Sequence, residues 1–174
     1  MIEIKESSGI GGILTIRAYR KGVIQSLLES GLTLHEAIEA AVAESEVKQH
    51  NLVTTLGMAL IGNLLTGKEN TGITYIALGT GTTLPALGDT QLAVEVTRKE
   101  IVDRVVSGGT ITLSVFFLAS ECTYNIQEEG FFGALASSAA NSGTLFSRVL
   151  KAQDNSAGIS DLTFQYTFNM ENKV

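Results

Sequence analysis

Three carboxylates in the second half of the chain, Glu121, Glu128 and Glu129, are the residues whose type and spacing come closest to acid/base chemistry. Paired carboxylates do such work only when both converge on one cleft. Glu128 and Glu129 are adjacent, and neighbours on a strand point to opposite faces, so this pair is not expected to converge. A structural ion pair or a turn cap at Glu128 or Glu129 is expected instead. Gly62-Asn63-Leu64-Leu65-Thr66-Gly67-Lys68-Glu69 fits the start of a phosphate-binding loop. Such a loop joins a strand to a helix and needs a Ser or Thr after the lysine. Here Glu69 stands in that place and an apolar helix leads in, so a helix end followed by a polar turn is expected. His35 and His50 do not make His-Glu-x-x-His, because Glu39 occupies the second histidine position. Asp89, Asp103, Asp154 and Asp161 have no calcium-loop spacing. Cys122, the single cysteine, is expected to be a small buried residue without a disulfide or a cysteine-based zinc site. The residues therefore predict no catalytic group, no cofactor and no metal.

The chain has 174 residues, enough for a full core without staples. Charged residues make up 17% of it, against about 25% in an ordinary soluble domain. A surface this poor in charge is expected to be covered in part by other subunits. The net charge of −6, and a longest basic grouping of Arg17, Arg20 and Lys21, exclude a nucleic-acid footprint. No run of 18 apolar residues suggests a membrane span. Met1-Ile2-Glu3-Ile4-Lys5 does not open a signal peptide, so synthesis in a cytoplasm is expected.

The elements that must position these residues change character along the chain. Gly9, Gly11 and Gly12 lie in a glycine-rich arm, Ser7 to Gly12, ahead of an alternating strand from Ile13 to Tyr19. Thr33 and Glu36 form a capping box. Behind it Leu34, Ile38, Ala41, Val42 and Ser45 fall on one stripe, which predicts an acidic helix of roughly four turns ending near Gln49. Leu34, Ile38, Ala41 and Val42 are its expected contacts with a partner. A second, more apolar helix is expected from an N-cap at Asn51 to a stop at Gly67. From Ile73 onward the period is two. Strands are expected at Ile73–Leu78, Glu95–Val106, Ile111–Phe117, Tyr124–Gln127, Gly143–Leu150 and Asp161–Met170, with a hairpin turn at Ser107-Gly108-Gly109-Thr110. This predicts a mainly β chain with one or two helices (α+β), an antiparallel β-sandwich or barrel-like domain preceded by helices. Residues 1–50 would form an arm, strand and helix serving as an assembly appendage, and residues 51–174 a helix plus the sandwich.

From Gly72 on, a series of motifs resembles a family of tailed-bacteriophage virion structural proteins. They are Ile76-Ala77-Leu78-Gly79-Thr80-Gly81, then Pro85, Asp89-Thr90-Gln91-Leu92 and Glu95-Val96-Thr97-Arg98. Ile126-Gln127-Glu128-Glu129-Gly130-Phe131-Phe132, Gly143-Thr144-Leu145-Phe146-Ser147-Arg148 and Leu162-Thr163-Phe164-Gln165-Tyr166-Thr167-Phe168 complete the set. The match covers roughly residues 48 to 170, and it is specific as a set. It departs at residues 21 to 47, where related chains more often carry a short strand hairpin. The resemblance implies a non-enzymatic virion protein, tail-, neck- or baseplate-associated or serving in fibre attachment. Its partners would be other virion proteins and sister copies, without nucleic acid or membrane. Its motif residues would be structural: Gly79, Gly81, Asp89, Glu95, Arg98, Glu129, Gly130 and Arg148. Ion pairs across strands are expected for Arg98 with Glu95 and for Arg148 with Glu128. Capsid decoration is the alternative. A receptor- or glycan-binding module is disfavoured, because aromatics are only 6% and tryptophan is absent.

Overall fold

The computed structural model describes residues 11–169. In chain order the elements are β1 (Gly12–Arg20), α1 (Val23–Glu29), α2 (Leu34–Ala40), β2 (Ser45–His50), β3 (Leu52–Val53), α3 (Thr55–Leu65), β4 (Ile73–Gly79), β5 (Glu95–Glu100), β6 (Asp103–Ser107), β7 (Thr110–Phe117), a one-turn 3-10 helix (Ala119–Glu121), β8 (Asn125–Gly133), β9 (Thr144–Asp154) and β10 (Ser160–Asn169). The strands form two five-stranded antiparallel sheets, ordered β2-β1-β10-β7-β6 and β3-β9-β8-β4-β5. The mainly β, α+β sandwich expected from the period-two pattern is therefore the fold.

The core lies between the sheets. Leu162, Phe164 and Tyr166 of β10 face Ile76 and Leu78 of β4, Phe131 of β8 and Phe146 of β9 across it. Phe131 stacks on Tyr166 with ring centroids 4.8 Å apart, and Phe117 meets Phe164 edge-on at 5.6 Å. Cys122 is fully buried in the same cluster.

The chain passes between the sheets four times, and two of these crossings are tight corners of one or two residues. At one, β2 runs through Asn51 into β3. Asn51 holds the first residue of β1, its amide donating to the Gly12 carbonyl and its side-chain oxygen accepting from the Gly12 amide at 3.1 Å. At the other, β5 leads into β6 through Ile101, which is fully buried and donates its amide to the Thr74 carbonyl. The single strand expected over Glu95–Val106 is thus two strands in different sheets. Alternation cannot reveal such a bend, because both halves keep a period of two.

The largest correction concerns residues 33–50. The capping box is present: Thr33 Oγ1 accepts from the Glu36 amide, and Glu36 Oε2 accepts from the Thr33 amide at 2.9 Å. The helix it starts, however, ends at Ala40 after two turns, and Ser45–His50 is the edge strand β2. A helix this short is marginal on its own, whereas β1 has a free edge whose amides and carbonyls need partners. β2 pairs with β1 from Ala18↔Ser45 to Ile13↔His50. Arg17 Nε donates to Glu46 Oε2 at 2.6 Å across that pairing. Nor does residue 50 separate an appendage from the sandwich, since β1 and β2 are strands of the first sheet. Ser7 to Ile10 of the expected arm lie outside the described residues, while Gly12 opens β1.

Leu34 and Ile38, expected to meet a partner, are buried within the chain itself. They pack with Ile24, Ala37 and Tyr19 on the outer face of the first sheet, and Ala41 is half-buried against them. Of the four residues expected to meet a partner, only Val42 is open, at 88% exposure. The second helix, α3, starts later than expected, with Thr54 rather than Asn51 as N-cap: Thr54 Oγ1 accepts from the Gly57 amide at 2.9 Å. Thr54 Oγ1 also donates to the Leu145 carbonyl, which fixes the helix to β9. It ends at Leu65, with Thr66 as C-cap and Gly67 at φ +71°, and the Lys68 and Glu69 amides both donate to the Asn63 carbonyl. The phosphate-loop lookalike is therefore a helix C-terminus.

Candidate functional site

The motif residues gather on the outer face of the second sheet. Strand alternation sends Glu128 and Gly130 of β8 outward, and Glu129 and Phe131 inward. The segment between β4 and β5, residues 80–94, folds back over the outward face. Its base is closed by the Thr80 amide donating to the Val94 carbonyl at 3.0 Å. A loop lying on a sheet brings backbone amides that neither helix nor ladder satisfies. Glu128, fully buried, accepts three of them: Gly81 at 3.1 Å and Val94 at 2.7 Å on Oε1, and Ala93 at 3.0 Å on Oε2.

Arg148 of β9, 2% exposed, completes the arrangement. Its Nε donates to Glu128 Oε2 at 2.8 Å, its Nη1 to Asp89 Oδ2 at 2.7 Å and its Nη2 to the Thr83 carbonyl at 2.8 Å. Asp89 also accepts from the Ala86 amide. Burial pushes the Asp89 carboxyl up, but the Ala86 amide and the Arg148 guanidinium outweigh it and hold the group below its ordinary range. Gly79 and Gly81 are required by proximity: a Cβ on Gly79 would lie 2.6 Å from the Val94 carbonyl oxygen, and one on Gly81 would collide with Glu128 Oε1. At Gly130 a Cβ would press on Leu92 and Leu145.

A second staple lies beside the first. The side chains of Glu95 and Arg98 on β5 are each 3% exposed and form a two-point pair, at 2.6 and 2.8 Å. They were expected to pair across strands, but they are three apart on one strand. An extra residue at the β4–β5 register shift, where Leu78↔Thr97 is followed by Gly79↔Glu95, turns both to the same face. Arg98 also donates to the Ser137 and Ser142 carbonyls, and its guanidinium sits 4.6 Å from the Phe132 ring centroid. The Asn141 amide donates to Glu95. The pair thereby fastens the β8–β9 connection, residues 134–143.

Glu129 does not belong to either staple. The ion pair expected at Glu128 or Glu129 is made by Glu128, and Glu129 faces the core with both carboxylate oxygens buried and, among the described residues, without a hydrogen-bond partner. Burial first, and the nearby Glu128 charge second, push its carboxyl well above the ordinary range. Burial, with the Glu129 and Glu121 charges, likewise pushes the Cys122 thiol up to about 12.

What this site can do chemically follows from its partners. Both oxygens of Glu128 are engaged by backbone amides and by Arg148, and the residue has no contact with solvent. A general acid or base needs a reachable oxygen and a proton path. Among the described residues no three of His, Cys, Asp and Glu are grouped to hold a metal ion. His35 lies in the first turn of α2 and His50 ends β2, apart from these staples. Sequence reasoning missed the Ser137–Ser142 contacts of Arg98 and the cap at Thr54; the Thr54-x-x-Gly57 spacing carries no capping-box signal. No protein-family model matches the chain, and no curated protein or solved structure does either.

Proposed function

We propose that this chain is a non-enzymatic structural protein of a tailed-bacteriophage particle. In this reading it is mounted at the tail, neck or baseplate and works through contacts with sister copies and other virion proteins. One observation carries the proposal: the motif residues behind the resemblance converge on one buried face and act there as fasteners. Gly79, Gly81, Asp89 and Arg148, with Glu128, hold one loop; Glu95 and Arg98 hold the other. Such residues build a rigid surface for neighbours rather than a reaction cleft. The low charge fits as well, together with large apolar side chains left open at Val42, Leu65, Leu84 and Leu135, each at least 78% exposed.

Quantitative mass spectrometry of purified phage particles tests the reading. Three, six or twelve copies per particle are expected. Several hundred copies would instead favour capsid decoration. Absence from particles would overturn the virion reading altogether.

A further inference from the structure

One end of the sandwich holds an apolar cleft of about 550 Å³, within the range of about 300–1,000 Å³ usual for small-ligand sites. Leu64 and Leu65 of α3 form one wall, Ile111 of β7 the other, with Ile73, Phe146 and Phe168 between them. Among the described residues, Arg104 is the only charged one lining it. On β6 it stands opposite Leu113, on the inward face, and it is exposed without an ion pair or side-chain hydrogen bond among the described residues. Asp103, its chain neighbour, points to the other face and lines a different cleft with Lys99 and Glu100. Glu69, near the rim at Asn70, has its carboxylate engaged by the Asn70 and Thr71 amides. Thr74 also lines the cleft, though its hydroxyl is buried away from the opening, without a hydrogen-bond partner among the described residues.

We propose that this cleft binds an unbranched apolar chain with one anionic head, a fatty carboxylate being the simplest case. The chain lies along α3, and the head is held by the Arg104 guanidinium, whose planar fork suits a carboxylate. The lining selects against a peptide, because every residue of a peptide brings an amide and a carbonyl that need partners. The walls offer almost none. This inference is independent of the virion reading, and either can fail alone.

Isothermal titration of the full chain with dodecanoate, below its micelle concentration at pH 7.5, tests it. One dodecanoate per chain is expected, with dodecan-1-ol binding about tenfold more weakly, the worth of a charge-assisted hydrogen bond. Arg104→Gln should bring dodecanoate down to the level of the alcohol, and Ile111→Trp should abolish both. Should Ile111→Trp lose its folded circular dichroism spectrum, Leu65→Glu on the exposed rim should weaken dodecanoate in its place. Absence of saturable binding, or an Arg104→Gln variant that binds as well as the parent, would overturn the proposal. So would a concentration-dependent dimer in native mass spectrometry that Ile111→Trp disperses, because a second copy would then own the cleft.

Discussion

The outer faces of the two sheets solve one problem by different means. Each sheet already buries one face in the shared core and must cover much of the other. On the first sheet, α1 and α2 do this with an apolar cluster of Tyr19, Ile24, Leu34, Ala37 and Ile38. On the second sheet, loops do it with an apolar cluster of Ala77, Leu92, Phe132 and Leu145 and, in addition, with buried charge through Glu128–Arg148–Asp89 and Glu95–Arg98. Helices satisfy most of their own backbone and need only an apolar stripe to dock. A loop satisfies little of its backbone, so it stays down only if side chains reach its amides and carbonyls. The charged motif residues are there because the cover is a loop.

The comparison breaks most visibly at Arg148. Arg148→Ala leaves Glu128 and Asp89 without their cation, and such a break in a buried pair costs about 3–5 kcal/mol. Urea unfolding should show that loss, and hydrogen exchange should speed up across residues 80–94 while α2 stays protected. Next comes Ile38→Ala, a cavity on the helical side costing about 2–4 kcal/mol. It should leave exchange in residues 80–94 unchanged. Acceleration of both regions by either variant would mean that the two covers form one unit.

A smaller effect is expected at Glu129, on the inner face. Its folded carboxyl titrates well above its unfolded value. Its contribution is therefore most favourable below the unfolded pKa, and stability falls as pH rises from there through the folded pKa. Glu129→Leu should remove that slope and stabilise the protein by on the order of 1–3 kcal/mol at alkaline pH, the usual cost of an unsatisfied buried polar group. A parent protein whose urea midpoint does not fall between pH 5 and pH 9 would sink this account. The smallest change is Thr33→Ala, which removes the α2 cap at a cost of about 1 kcal/mol. It should lower the melting temperature slightly and leave the loop side untouched.

Local patterns made much of the fold legible. Alternation located β1, β4, β7 and β10 almost to their ends, because each has one face in the core, and a one-residue slip would turn every side chain over. The Thr33 capping box and the Gly67 stop were legible because caps are local hydrogen bonds. Missed elements had reasons of another kind. Ser45–His50 reads as the tail of an alanine- and glutamate-rich helix, and it is a strand only because β1 offers it an edge. α1 has a single fully buried residue, Ile24, too few to show a period.

At the site the same division holds. The types and order of Gly79, Gly81, Asp89, Glu95, Arg98 and Arg148 were visible in the chain, as was the divergence of Glu128 from Glu129. Which carboxylate takes the arginine depended on which face of β8 looks inward, and that is decided by how the two sheets pack. By itself the sequence determined the period, the caps and the turns, all of which arise from residues a few positions apart. The corners at Asn51 and Ile101, the conversion of residues 45–50 into an edge strand, and the capture of loop amides by Glu128 belong to the tertiary structure. Each joins groups distant in the chain, and its energy exists only once both partners are in place.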